Sequence, residues 1–172
     1  MESIGMELRR HVCRALHDEH KATLAILGRL ETLLGRHGSR RPPDPASPEL
    51  AALLKDLIFA IDTEIGPHFA FEESHVFPIL SEAGDREMCA VLLAEHREIL
   101  PLAQHLAELA KRFRETGLSE ELWAEFHALG AELDERLVAH IQKEEMGLLP
   151  ALDDLLDEET DDRLALQFAE LR

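Results

Sequence analysis

Tyrosine is absent from the 172 residues, cysteine occurs twice and tryptophan once. The first absence removes tyrosyl-radical chemistry and phenolate ligation. With only Cys13 and Cys89 available, CxxC redox motifs and four-thiolate zinc sites are excluded, and a reducing compartment is the natural setting. Basic residues are scarce as well: 18 Lys and Arg stand against 35 Asp and Glu, a formal net charge of −17. Such a field repels phosphate backbones and argues against nucleic acid as a partner. Charged residues interrupt every apolar stretch well before the ~20 residues a membrane-crossing helix needs, so a soluble protein with no membrane partner is expected. Met1 to Arg10 carries Glu2 and Glu7 and has no basic start, apolar middle or small-residue cleavage site, which points to a cytoplasmic chain. No Gly-rich phosphate loop, dinucleotide fingerprint or nucleophile triad occurs. The length fits a single domain over residues 1–172.

What remains is rich in Leu, Ala, Glu and Arg, with no stretch alternating at period two, so an all-α chain is expected. Gly- and Pro-containing breaks at 35–48, 81–85 and 116–119 leave four long helices at about 3–34, 48–80, 86–115 and 119–156. Ser47 before Pro48, Asp85 and Ser119 are the expected N-caps, and Thr160 is expected to cap a short C-terminal helix. Short second and third connections favour an up-down-up-down four-helix bundle. Pro67 and Pro101 each remove a helical hydrogen bond, which predicts kinks.

Ten histidines are the oddest excess, and an internal repeat organises the relevant ones. His68-Phe69-x-x-Glu72-Glu73-x-x-Val76-Phe77-Pro78 recurs 72 residues later as His140-Ile141-x-x-Glu144-Glu145-x-x-Leu148-Leu149-Pro150. Leu16-x-x-Glu19-His20-x-x-x-Leu24 recurs 76 residues later as Leu92-x-x-Glu95-His96-x-x-x-Leu100, and Cys13 maps onto Cys89 at the same offset. The chain reads as two related helical hairpins forming a pseudo-two-fold bundle. Residues i and i+4 share a helix face, so His68 with Glu72 and His140 with Glu144 are two preformed ligand pairs. Adding His20 and His96 gives four nitrogens and two carboxylates around one volume. Two carboxylates can bridge two ions, and mixed N/O ligation suits iron, manganese or zinc. A ferritin-like carboxylate site needs Glu-x-x-His on two helices, and only Glu72-x-x-His75 fits that spacing.

At His20, His68-x3-Glu72, His96 and His140-x3-Glu144 the chain resembles the hemerythrin-like family of HHE cation-binding bundles, over nearly its whole length. The resemblance implies a pair of iron ions, oxo- or carboxylate-bridged, with open positions for O2, NO or peroxide. Oxygen carriers of the family have a fifth histidine four residues after the third-helix one, where this chain has Leu100 followed by Pro101. The ligand set is closer to that of repair-of-iron-centres proteins, which implies iron handling, sensing or a stress response rather than bulk oxygen transport. Those oxygen carriers take their last-helix carboxylate one position later, so Glu144 and Glu145 both stand as ligand options.

Glu73 and Glu145 otherwise read as a solvated face. His75, two turns beyond His68, reads as a packed or outer residue before a ligand, and His11, His17, His37, His105 and His127 as surface residues. Cys13 and Cys89 read as small buried residues, with a peroxide-oxidisable thiol pair as the sharper alternative. The expected activity is binding rather than turnover. A di-iron peroxidase or iron-donating repair enzyme is one alternative, and a metal-stabilised structural or signalling module the other; a homodimer is an open option for the chain under any of these readings.

Overall fold

A computed structural model describes residues 7–171. Its helices are α1 (His11–Arg36), α2 (48–82), α3 (Arg86–Thr116), α4 (120–155) and α5 (Glu158–Ala169), with no strand among the described residues. Helix α1 packs on α2 and α4, α3 packs on the same two, and α5 lies along α1. The result is an all-α bundle with an appended C-terminal helix.

Two apolar clusters fill the bundle. The larger includes Leu27, Leu30, Ile99, Phe113, Trp123, Phe126 and Leu133. The smaller includes Val12, Leu16, Phe71, Leu80, Leu92, Leu152 and Phe168. Between them every long helix contributes buried polar residues: Glu19 and His20 on α1, His68 and Glu72 on α2, His96 on α3, His140 and Glu144 on α4. A polar layer therefore crosses an otherwise apolar interior, an expensive arrangement that calls for internal partners or a cation.

Ser47 accepts from the Leu50 N–H and Ser119 from the Leu122 N–H, as expected, while Asp85 sits at the start of α3 without a side-chain cap. Two starts differ from expectation. Residues 7–10 are not helical, and α1 begins at His11; the part of the expected helix at 3–6 lies outside the described residues. The reason is capping from distant helices. Asp153 accepts from the Arg9 and Arg10 N–H groups, and Asp161 from those of His11 and Val12, at 2.7 to 3.2 Å. Helix α5 is capped by Asp157, which accepts from the Thr160 N–H at 2.8 Å, not by Thr160.

Helices α2 and α4 widen into π-turns at Ile61–Ile65, Glu72–Val76 and Glu144–Leu148. A proline follows two residues after each, at Pro67, Pro78 and Pro150. A proline ring clashes with the carbonyl one turn back and offers no donor, and a wider turn relieves both demands. The disturbance expected at Pro67 thus takes the form of a π-turn, whereas α3 runs through Pro101 as α-helix. Cys13 and Cys89 are buried and unbridged. Their thiols approach the carbonyls of Leu149 and Phe77, the residues just before Pro150 and Pro78, at 3.9 and 3.7 Å. Burial raises both thiols above the ordinary value, which keeps them protonated.

Candidate metal centre

The π-turns begin at Glu72 and Glu144, the two carboxylates at the middle of the polar layer, both fully buried. Glu72 directs Oε1 to His68 Nε2 at 3.0 Å and Oε2 to His96 Nε2 at 3.2 Å. Glu144 directs Oε2 to His20 Nε2 at 2.8 Å and Oε1 to His140 Nε2 at 2.5 Å. Each carboxylate therefore splits its oxygens between two histidine pairs. Four potential donor atoms from His20, His68, Glu72 and Glu144 lie within 4.8 Å of one another, and so do four from Glu72, His96, His140 and Glu144. The structure brings all six sequence-predicted residues into two groups that share both carboxylates.

Each ring is also held from outside. The Nδ1 atoms of His20, His96 and His140 lie 2.6, 2.9 and 2.8 Å from carboxylate oxygens of Glu145, Glu73 and Glu95. His68 Nδ1 lies 3.3 Å from Glu19. An Nδ1–H donated outward leaves a lone pair on Nε2 aimed inward. The partners obey the repeat: Glu19 with His68 matches Glu95 with His140, and Glu145 with His20 matches Glu73 with His96. Glu73 and Glu145 are thus not merely solvated, and Glu144, not Glu145, is the buried inner carboxylate. His17 shares Glu145 at 2.8 Å, and His127 meets the Leu34 carbonyl at 3.0 Å, so neither is a bare surface residue. His75 packs against Phe71, with ring centroids 5.1 Å apart, outside both donor groups.

The inner atoms fit a cation. His20 Nε2, Glu72 Oε2 and both oxygens of Glu144 are buried without a hydrogen bond of acceptable geometry, despite the short separations. Inward lone pairs facing carboxylate oxygens need positive charge between them, supplied by protons or by metal. Without metal, burial pulls the His20 imidazole down, but Glu144 and Glu145 outweigh it and push it up to about 9. His96 is likewise depressed by burial and raised to about 9 by Glu144 and Glu72. Burial opposes ionisation of Glu144, and His140, His20 and His96 reverse it, holding the carboxyl well below the usual range.

Aromatic rings pack against the layer. Phe69 stacks on His96 with centroids 3.8 Å apart, and Phe77 stacks on the same imidazole at 5.5 Å. Beside the layer is a cavity of about 20 Å³ lined by His20, Thr23, His68, Phe69, His140 and Glu144 among others. That is room for about one water-sized molecule. A much larger groove of about 670 Å³ between α1 and α2, lined by Gly28, Arg29, Arg36 and Leu53, contains none of the six residues.

The sequence did not reveal that Glu19, Glu73, Glu95 and Glu145 hold the histidine Nδ1 atoms: Glu73 and Glu145 read mainly as a solvated face, with Glu145 also a ligand option. Their signal was present, since Glu19, Glu95, Glu73 and Glu145 all recur in register, but each serves a histidine on another helix. A family model for the hemerythrin HHE cation-binding domain matches residues 11–152. No curated protein matches the chain.

Proposed function

Because the chain belongs to the hemerythrin HHE cation-binding family, we propose that it is a non-haem di-iron protein that binds O2, NO or peroxide in iron handling, sensing or stress response. The observation that carries this reading is the division of Glu72 and Glu144 between two histidine pairs. His20 and His68 would hold one ion, His96 and His140 the other, with the two carboxylates shared. Bound iron supplies Lewis acidity and redox chemistry toward small oxygen and nitrogen species. The protein's own part is to aim the four Nε2 atoms through Glu145, Glu19, Glu73 and Glu95, and to pack Phe69 and Phe77 against the layer.

The neighbouring cavity, with room for about one water-sized molecule, supports a very small ligand. A partly buried Leu100 stands where an oxygen carrier has its fifth histidine, and it packs against the larger apolar cluster, which supports a role other than bulk transport. The donor set also accepts manganese or zinc.

The test is elemental analysis of protein produced with iron and purified without oxygen, beside a His68→Ala/His140→Ala variant. About two iron per chain, lost in the variant, is the expected result. Near-zero metal in both would leave a structural module. Anaerobic titration with NO and peroxide then reads ligand binding, and repeated turnover with peroxide and a reductant would identify a peroxidase instead of a sensor.

A further inference from the structure

The matched family residues end at 152, and α5 begins six residues later at Glu158. Yet α5 reaches the metal layer. Its Phe168 ring stands edge-on to His68, with centroids 5.9 Å apart and planes at 84°, and also packs on Phe71 at 5.0 Å. Phe168 is buried, and Leu164 one turn earlier is too. The start of α5 is fastened to the start of α1 through Asp161, which accepts from the His11 and Val12 N–H groups at 2.9 Å. Asp161 and Phe168, seven residues apart, share one helix face. One end of the helix is therefore anchored by hydrogen bonds, and the other brings the Phe168 ring against the site.

The internal repeat supplies a control within the molecule. Glu19 and its counterpart Glu95 do the same work, for His68 and His140. The Glu95 side chain is 22 % exposed and pairs with Lys143, whereas Glu19 is 6 % exposed. A crevice lined by Glu19, Pro67, His68, Phe168 and Leu171 marks the covered side. The two halves of the layer differ in their surroundings: one edge meets solvent beside a lysine, and the other is roofed by α5.

We infer that Phe168 is a specificity-determining residue of the metal centre: α5 is a cover whose last turn sets how easily, and how large, a molecule reaches His68 from the Glu19 side. This rests on the di-iron reading above for its functional meaning, but the cover itself can be tested without metal.

In metal-free protein, acylation by diethyl pyrocarbonate is followed at His68 and His140 by peptide mass spectrometry. Phe168→Ala removes the ring's buried contacts and is expected to raise the His68 rate at least about tenfold, with His140 as internal reference unchanged. Phe168→Leu should lie between the two. In iron-loaded protein the azide association rate should rise in the same order, with iron content unchanged. An unchanged His68 rate in Phe168→Ala overturns the inference, and so does a parallel rise at His140, which would mean general loosening of the bundle. Failure of the wild type to hold iron, with His68 still unmasked by Phe168→Ala, would sink the di-iron reading and leave the cover standing. Iron in both proteins with neither rate moved would do the reverse.

Discussion

Each imidazole of the polar layer is gripped from two sides, with an outer carboxylate at Nδ1 and an inner one at Nε2. The adjacent pair Glu144 and Glu145 divides these tasks: Glu144 is fully buried between His20 and His140, while Glu145 touches His20 and His17 from outside. Glu144→Gln removes a charge shared by both donor groups and, on the di-iron proposal, should abolish loading at both. Glu145→Gln should keep two ions at a metal affinity about 10- to 100-fold weaker, the usual scale for an outer partner. Competition with a chelator of known affinity measures both. The sequence made the inner six legible because the repeat places them on corresponding faces. It left Glu144 against Glu145 open because neighbours on a helix differ by one step of rotation, and only packing decides which enters the core.

At the scale of helices, the four main elements and the appended fifth follow from Gly and Pro punctuation, and Ser47 and Ser119 cap as their types predict. The start of α1 was not legible, because its caps come from Asp153 and Asp161, more than 140 residues away in sequence. Asp161→Ala strands two backbone donors, one of them fully buried at Val12. It should cost about 1–2 kcal/mol, or roughly 2–8 °C in melting temperature for a chain of this size, read by circular dichroism. Asp153 adds a pH dependence. Burial alone would raise its carboxyl, but the Arg10 and Arg9 N–H groups hold it below the usual carboxylate range. A depressed folded value means stability that is present above the ordinary carboxylate pKa and lost as pH falls through the folded one. Asp153→Asn should therefore be less stable than wild type near neutral pH, with the gap closing below about pH 4.

For the molecule as a whole, apolar clusters lie on both sides of the polar layer, and their burial favours the bundle whether or not an ion is bound. Metal removal should accordingly lower the melting temperature while preserving helical ellipticity. Ligation adds RT ln(1 + [L]/Kd), about 4 kcal/mol when free metal is a thousandfold above Kd. The size of that gain must depend on pH, because protons and metal compete for the same inward lone pairs. In the metal-free chain burial pulls His20 and His96 down, but the surrounding carboxylates outweigh it and push both up to about 9. Both values are raised on folding, so their stabilisation is complete below the unfolded value of about 6.5 and disappears as pH rises through about 9. Over that window the metal-free protein loses the protons that screen Glu72 and Glu144, while the loaded protein keeps its cations. The difference in melting temperature between loaded and metal-free protein should therefore widen from about pH 6.5 to about pH 9. Metal uptake near neutral pH should release protons to an indicator dye, with the release shrinking at the alkaline end. A flat temperature difference with no proton release would show that metal, if bound, is not bound by these imidazoles.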